Sequence, residues 1–290
     1  MELNDVELDK AIKTITKMSY HNLNEQVIRS LENDVVVVEE PLQIELGWVD
    51  VQQPQLSNHG VILTITLRTP GDDEALAMGL LKAEGIIQGL QSIEKVVLPN
   101  GHKPNQISIC LKQKPLGLDT HLTRRFSSNS SCGFCGKTSL KALEMSSPTL
   151  LGRISQPLDP QQLMQLPSQL KAAQKLFKET GGIHGAAIVS SSGELCYVAE
   201  DIGRHNALDK VIGQALLDRQ APDDKLLLLS GRASFELIQK AVMGGYAVIL
   251  SVGAPSSLAI NVAQRFDLTL IGFLKQNRFN VYTGDWRLTP

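Results

Sequence analysis

The residues best equipped for chemistry are Cys132 and Cys135, two residues apart in SSNSSCGFCGKTS at 127–139. Such a pair can clip a metal, cycle through a disulfide or act as a nucleophile, and the neighbours decide between these. A structural zinc site commonly needs a second close pair of Cys or His. Cys110 and Cys196 stand alone in strand-like runs, and the 6 histidines offer no close pair. The GKT of SCGFCGKT fits a phosphate loop, but Ser131 occupies the place of its first glycine and serines, not a strand, lead in. A thioredoxin-like pair would open a helix directly after a strand, whereas here a long polar loop precedes it and the helix begins nearer Lys137. Exposed thiols between Gly133, Gly136 and serines gain no burial and invite oxidation, so packing does not explain them. His121, Arg124, Arg125 and Lys137 lie near in sequence and favour the thiolate, the form that attacks or accepts sulfur. A nucleophilic or sulfur-carrying cysteine fits best, and dithiol redox exchange stays open.

A second set of residues could hold an anion. Glycine-rich turns beside strands and helix starts suit phosphate, and the second half has several. TGGIHGAA surrounds His184, SGRASFE carries Ser230, Gly231 and Arg232, SVGAPSS carries Gly253, Pro255, Ser256 and Ser257, and GFLKQNRFN joins two strands through Lys275 and Arg278. Strand ends of one α/β layer tend to share a crevice. His184 and His205 read equally as acid–base groups or as structural histidines, and Asp201, Arg204 and His205 as site residues or as helix caps and local pairs. Neither a dinucleotide G-x-G-x-x-G nor a G-x-S-x-G elbow is found.

The elements that position these residues fall into two halves. Residues 1–31 form a polar segment, expected as a tail or short helix. A β-rich domain with one helix is expected over 32–114: strands in DVVVVEEPLQIELGW (interrupted at Pro41), VILTITLRT, IEKVVLP and QISICLK, and a helix in GDDEALAMGLLKAEGII capped by Asp72 and stopped at Gly85. Residues 115–136 read as a mobile cysteine loop. Over 137–290, KTSLKALEM is a short helix and PQQLMQLPSQLKAAQKLFKET a longer helical region broken or kinked around Pro167. Strands then alternate with helices, as in a layered α/β domain.

Composition sets the limits. With 290 residues, 42% hydrophobic and 20% charged, the chain can bury a sizeable core. A formal net charge of -2 argues against coating nucleic acid, though not against a local positive cleft. MELNDVELDK has no basic or apolar export pattern and no run approaches a membrane span, so a cytoplasmic protein is expected.

The stretches EEPLQI, RTPGDDEALAMG, SSCGFCGK, GGIHGAA, EDIGRHNALDKVIG, SGRASFELIQKA, GAPSSLA and GFLKQNRFNVYTG run in order from about residue 35 to 284. Together they resemble the FdhD family of formate dehydrogenase accessory sulfurtransferases. The resemblance implies a cytidine-deaminase-like α/β domain with a smaller β-rich N-terminal domain, and a homodimer. It implies a carrier that accepts persulfide sulfur from a cysteine desulfurase and passes it to the molybdenum or tungsten bis-guanine-dinucleotide cofactor of the formate dehydrogenase apo-enzyme. Cys132 maps to the persulfide site, with Cys135 beside it, and Phe273, Leu274, Lys275, Gln276, Asn277 and Arg278 map to the cofactor-binding stretch. No permanently bound metal is implied. Deaminase chemistry itself is not, because Ser131 precedes Cys132 where proline belongs and His184 is followed by Gly185 and Ala186 instead of x-E.

Overall fold

The computed structural model describes residues 10–23, 26–49, 60–115 and 151–290. The cysteine pair, most of the loop expected over 115–136 and the helix expected in KTSLKALEM lie outside these.

The larger half is built on a six-stranded sheet of β7 (His184–Ser190), β8 (Leu195–Asp201), β9 (Lys225–Leu229), β10 (Val248–Ser251), β11 (Thr269–Lys275) and β12 (Arg278–Thr283). Their order is β12-β11-β10-β9-β7-β8. β9, β10 and β11 run parallel, β7 is antiparallel to both β9 and β8, and β12 is antiparallel to β11. The Leu226–Leu229 run shows why this half needs three layers. Successive strand side chains face opposite ways, so Leu227 and Leu229 enter one core and Leu226 and Leu228 another. The first is covered by α4 (Arg204–Leu217), α5 (Phe235–Gly244) and α6 (Ser257–Arg265). The second is covered by α2 (Pro160–Ala173) through Leu163, Leu166 and Leu170, a helical spacing.

Of the break or kink expected around Pro167, the break is not found. α2 runs through Pro167, with the buried Leu166 and Leu170 holding it to the sheet, and ends at Gln174, whose ψ of 98° leaves the helical region. There α3 (Lys175–Thr180) begins, because the buried Glu200 carboxylate accepts from the amides of Leu176 at 2.9 Å and Phe177 at 2.8 Å. A side chain from a distant strand thus sets the helix start, and the local sequence does not reveal it.

The smaller half has β3 (Glu40–Trp48), β4 (Val61–Arg68), β5 (Ile93–Val97) and β6 (Gln106–Leu111) in the order β4-β3-β6-β5. Leu42, Ile44, Leu46, Ile107 and Ile109 pack onto α1 (Asp73–Ala83). From Ala75 to Leu81 that helix is apolar all round and buried on both sides. Its other side meets α4 backbone to backbone: a Cβ on Gly79 would fall on the Asp209 carbonyl, and one on Gly213 on the Ala75 carbonyl. Gly85 stops the helix as expected, in the left-handed region at φ 70°. Asp72 takes the N-cap position as expected, its carbonyl accepting from Leu76 N at 2.8 Å, but its backbone is left-handed, φ 54°, and its side chain makes no cap bond. Asp73 pairs instead with the buried Arg68, at 2.8 and 3.0 Å.

Residues 1–31 were expected as a tail or short helix, but 12–37 form a hairpin of β1 (Ile12–Leu23) and β2 (Gln26–Val37), paired antiparallel over their full length. Each strand alone has too weak an alternation to read, and pairing assembles the faces. Its root is held by Ala11, Ile12 and Val37 against Leu176, Phe177 and Ile183. Among the described residues no helix is long and apolar enough to cross a membrane.

Candidate functional site

One edge of the six-stranded sheet collects the turns that the sequence singles out. The C-terminal ends of β8, β9, β10 and β11 all face this edge, together with the start of β7, and three helices begin there. The turns after β9 and β10 are stapled by their backbones. Gly253 N donates to Gly231 O at 2.9 Å, Ala233 N to Ala254 O at 3.2 Å and Ser256 N to Ala233 O at 3.0 Å. Ser251 Oγ donates to Gly231 O at 2.7 Å. A Cβ on Gly253 would stand 2.9 Å from Arg232 N, so only glycine allows this approach. The β11 end joins through Phe273 N, 3.0 Å from Gly253 O. Phe273 holds φ 52°, strained for an aromatic residue and stabilised by that bond.

Over this base stand His184, Arg204, His205 and Arg232. His184 lies against the Gly231 backbone, its Nδ1 3.5 Å from where a Cβ would be. Burial, then Arg204 and Arg232, hold the His184 imidazole below its usual range, while Asp201 acts the other way. Burial, then Arg204, Lys240 and His184, push His205 down to about 4. Glu236 Oε2 lies 2.8 Å from His205 Nε2, but that buried nitrogen lacks hydrogen-bond alignment, and burial with the surrounding cations prevails. Lys240 is committed to both oxygens of Asp209, at 2.9 and 2.8 Å. Arg204 and Arg232 have no ion pair among the described residues. Two guanidinium groups without an ion pair among the described residues, together with three helix starts, make this edge positive on a chain of net charge -2, and the two histidines add no charge of their own. It is suited to an anion with several oxygens.

The edge is tied to the smaller half through Asp201. Its Oδ1 accepts from Gly203 N at 2.8 Å and Asn206 Nδ2 at 3.1 Å; its Oδ2 accepts from Thr69 N at 3.2 Å and lies 2.9 Å from Lys210 Nζ. Lys210 also donates to Thr69 O at 3.0 Å, and Asn206 Nδ2 to Leu67 O at 2.7 Å. Asp201 is therefore fully engaged, positioning the start of α4 and with it Arg204 and His205. Sequence reading could offer Asp201 as a cap but had no signal for Lys210 or Thr69. Among the described residues no three His, Cys, Asp or Glu side chains gather to hold a metal ion.

The family profile of FdhD/NarQ matches residues 38–289. The chain belongs to the FdhD/NarQ family. It is 42% identical over 267 residues to the sulfur carrier protein FdhD of Streptomyces avermitilis, covering 89% of this chain and 90% of that one. It is 39% identical over 275 residues to the sulfur carrier protein FdhD of Picrophilus torridus, covering 93% and 99%. A crystal structure of a candidate formate dehydrogenase accessory protein from Desulfotalea psychrophila superposes with a TM-score of 0.70, covering 95% of this chain and 99% of that one at 22% identity. The last likeness bears on the fold alone.

In this FdhD/NarQ member the two groups of site residues expected from sequence fare differently. Cys132 and Cys135 lie outside the described residues. Phe273–Arg278 form the β11–β12 hairpin at the candidate edge, where Lys275 pairs with Arg278 and Gln276 and Asn277 make the turn. The side chains from Lys275 to Arg278 are exposed, and Phe273 is 39% exposed. Leu274 is fully buried in the core beneath α2, so whatever it offers a ligand comes from its backbone.

Proposed function

We propose that this chain is a sulfur carrier that accepts sulfur from a cysteine desulfurase at Cys132 and transfers it to the bis-molybdopterin guanine dinucleotide cofactor of formate dehydrogenase, or its tungsten equivalent. What chiefly supports this reading is the family match across residues 38–289, with curated relatives named as sulfur carrier proteins. The uncommitted Arg204 and Arg232 add to it, because the cofactor is a multiply charged pyrophosphate ligand. The desulfurase and apo-formate dehydrogenase are the protein partners, and the carrier works as a homodimer.

In the first step the Cys132 thiolate attacks the outer sulfur of the desulfurase persulfide. A new S–S bond forms on Cys132, the old one breaks, and the desulfurase cysteine leaves as thiolate. Pyrophosphate oxygens of the carried cofactor lie at the strand-end edge, held by Arg204, Arg232 and the Phe273–Arg278 hairpin. The Cys132 persulfide bond then breaks toward the metal, the sulfur taking an electron pair from the cofactor and Cys132 leaving as thiolate. Cys135 assists from the neighbouring position.

The test is to incubate the protein with a desulfurase and cysteine and to weigh it intact. A gain of about 32 Da per sulfur that Cys132→Ala abolishes supports the carrier, while a loss of about 2 Da marks a dithiol oxidoreductase instead. No mass change in protein that activates formate dehydrogenase would refute the sulfur step.

A further inference from the structure

His184 opens β7 at the strand-end edge, and its place there is fixed from two sides. Gly185 N donates to Ser230 Oγ at 2.9 Å and Ser230 N to Gly185 O at 3.0 Å, which locks the start of β7 to the end of β9. The imidazole therefore lies beside the Gly231 turn, its Nδ1 and Cε1 3.5 and 3.6 Å from where a Cβ on Gly231 would be. Asp201 of β8 stands directly across from His184 in the ladder, so the two side chains share a face. The Asp201 carboxylate is taken by Lys210, Asn206 and two amides, and the imidazole makes no hydrogen bond among the described residues. The titratable and charged groups that face it are Asp201 from β8, Arg204 and His205 from α4, and Arg232 from the turn after β9.

We propose that His184 is a third cation of this edge that forms only when pyrophosphate oxygens bind, so that the protein takes up a proton together with its dinucleotide. The inference rests on the reading of the edge as the cofactor's pyrophosphate site. While the edge is empty, burial and the two guanidinium groups keep the imidazole neutral against the pull of Asp201. That pull is weakened because Lys210 lies 2.9 Å from Asp201 Oδ2. A bound anion reverses the balance. Its oxygens offset Arg204 and Arg232 and accept from an imidazolium N–H, and both effects favour the charged form. An arginine at this position would stay charged in the empty edge and repel Arg204 and Arg232. A histidine carries the charge only while the anion is present.

His205 is placed differently. Its Nε2 is buried and stands 2.8 Å from Glu236 Oε2, and Lys240 adds to the cations around it. That nitrogen is turned into the protein, where solvent does not touch it, so His184 is the histidine that meets the anion. Linkage fixes the sign. Affinity for the anion rises as pH falls, by up to about tenfold per pH unit for one proton. The rise is confined between two titration midpoints of the imidazole, the higher with the anion bound and the lower, beneath 6.5, with the edge empty.

The experiment is titration calorimetry of the full chain with GDP-mannose, a guanine nucleoside diphosphate capped by a sugar. Its pyrophosphate is a diester, as in the cofactor, and brings no titrating proton of its own near neutral pH. Titrations at about pH 6.5 in buffers of unlike ionisation heat give the protons taken up. Wild type is expected to take up a large fraction of one proton and to bind severalfold tighter at about pH 6 than at about pH 8. His184→Gln is expected to hold the weaker, high-pH affinity throughout with no uptake, and His205→Gln to keep the uptake. Binding by wild type without uptake overturns the inference and leaves the pyrophosphate site standing. So does uptake that survives in His184→Gln or is lost in His205→Gln. No binding by wild type overturns both the site and the inference. Circular dichroism checks that each variant is folded. If His184→Gln does not fold, the His184 imidazole is followed by NMR in wild type, and a titration midpoint that GDP-mannose leaves unmoved overturns the inference.

Discussion

The strand-end edge and the N-terminal ribbon meet near the start of β7, yet they are built in opposite ways. At the edge the backbone turns bond one another, Gly253 to Gly231 and Phe273 to Gly253, on a sheet buried on both faces. What they leave without an ion pair among the described residues is charge, on Arg204 and Arg232. In the ribbon Lys17 pairs with Asp34 and His21 with Glu32 on one face, while Met18, Tyr20, Val27 and Leu31 stand exposed on the other. Unpaired cations over a rigid base ask for an anion held in fixed geometry. Bare apolar side chains on a thin base ask for another protein surface. The kind of group left unsatisfied tells the two roles apart.

That contrast can be broken by substitution. The largest effect is expected beneath the edge. Lys210→Met leaves Asp201 buried without its counter-ion and should lower unfolding free energy by about 3–5 kcal/mol in urea titrations, whereas a small change would mean that Asp201 is served by its amide donors alone. Arg204→Gln and Arg232→Gln should each weaken binding of a guanine nucleoside diphosphate by about tenfold or more in titration calorimetry, as expected for a charge-assisted hydrogen bond of ~1.5–3 kcal/mol. Unchanged affinity in both would move the anion elsewhere.

A smaller effect follows from His205, whose imidazole sits at about 4 in the folded chain against 6.5 for an ordinary histidine. Between those values the unfolded chain binds the extra proton, so folding stability should fall as pH drops from 6.5 to about 4, with the full contribution present above 6.5. His205→Gln should flatten that part of the melting-temperature profile. The smallest change is expected on the ribbon's polar face, where Lys17→Ala removes an exposed pair and should shift unfolding by at most ~0.5 kcal/mol.

Much of the larger half was legible because its strands are short apolar runs punctuated by glycine turns. KLLLLS, YAVILSV and LTLIGF each became a strand, and the turns SGRASFE and SVGAPSS came together at one edge. What escaped depended on partners far along the chain. Asp201 was readable as a cap, but Thr69, 132 residues away, and the buried Lys210 were not. A break or kink was expected around Pro167, and the break fell at Gln174 because Glu200, 26 residues on, caps the next helix. The ribbon was missed because Thr14, Thr16 and Asn22 in one strand and Arg29 and Asn33 in the other interrupt the apolar alternation, and only cross-strand pairing sets Met18 beside Leu31. The site residues divided the same way. Gly231, Arg232 and Gly253 were visible as turn chemistry, while the lack of a carboxylate partner for Arg204 and Arg232 among the described residues appears only in three dimensions.

The docking of α1 at Gly79 and Gly213 bears on how the protein is made. A ribosome releases α1 with one side still uncovered, because α4, which closes over it, is encoded far downstream. At ~5–20 residues per second the seam stays open for on the order of ten seconds. During that interval the nascent chain is sticky and unfinished, and its need for a chaperone should be greatest just before Gly213 emerges.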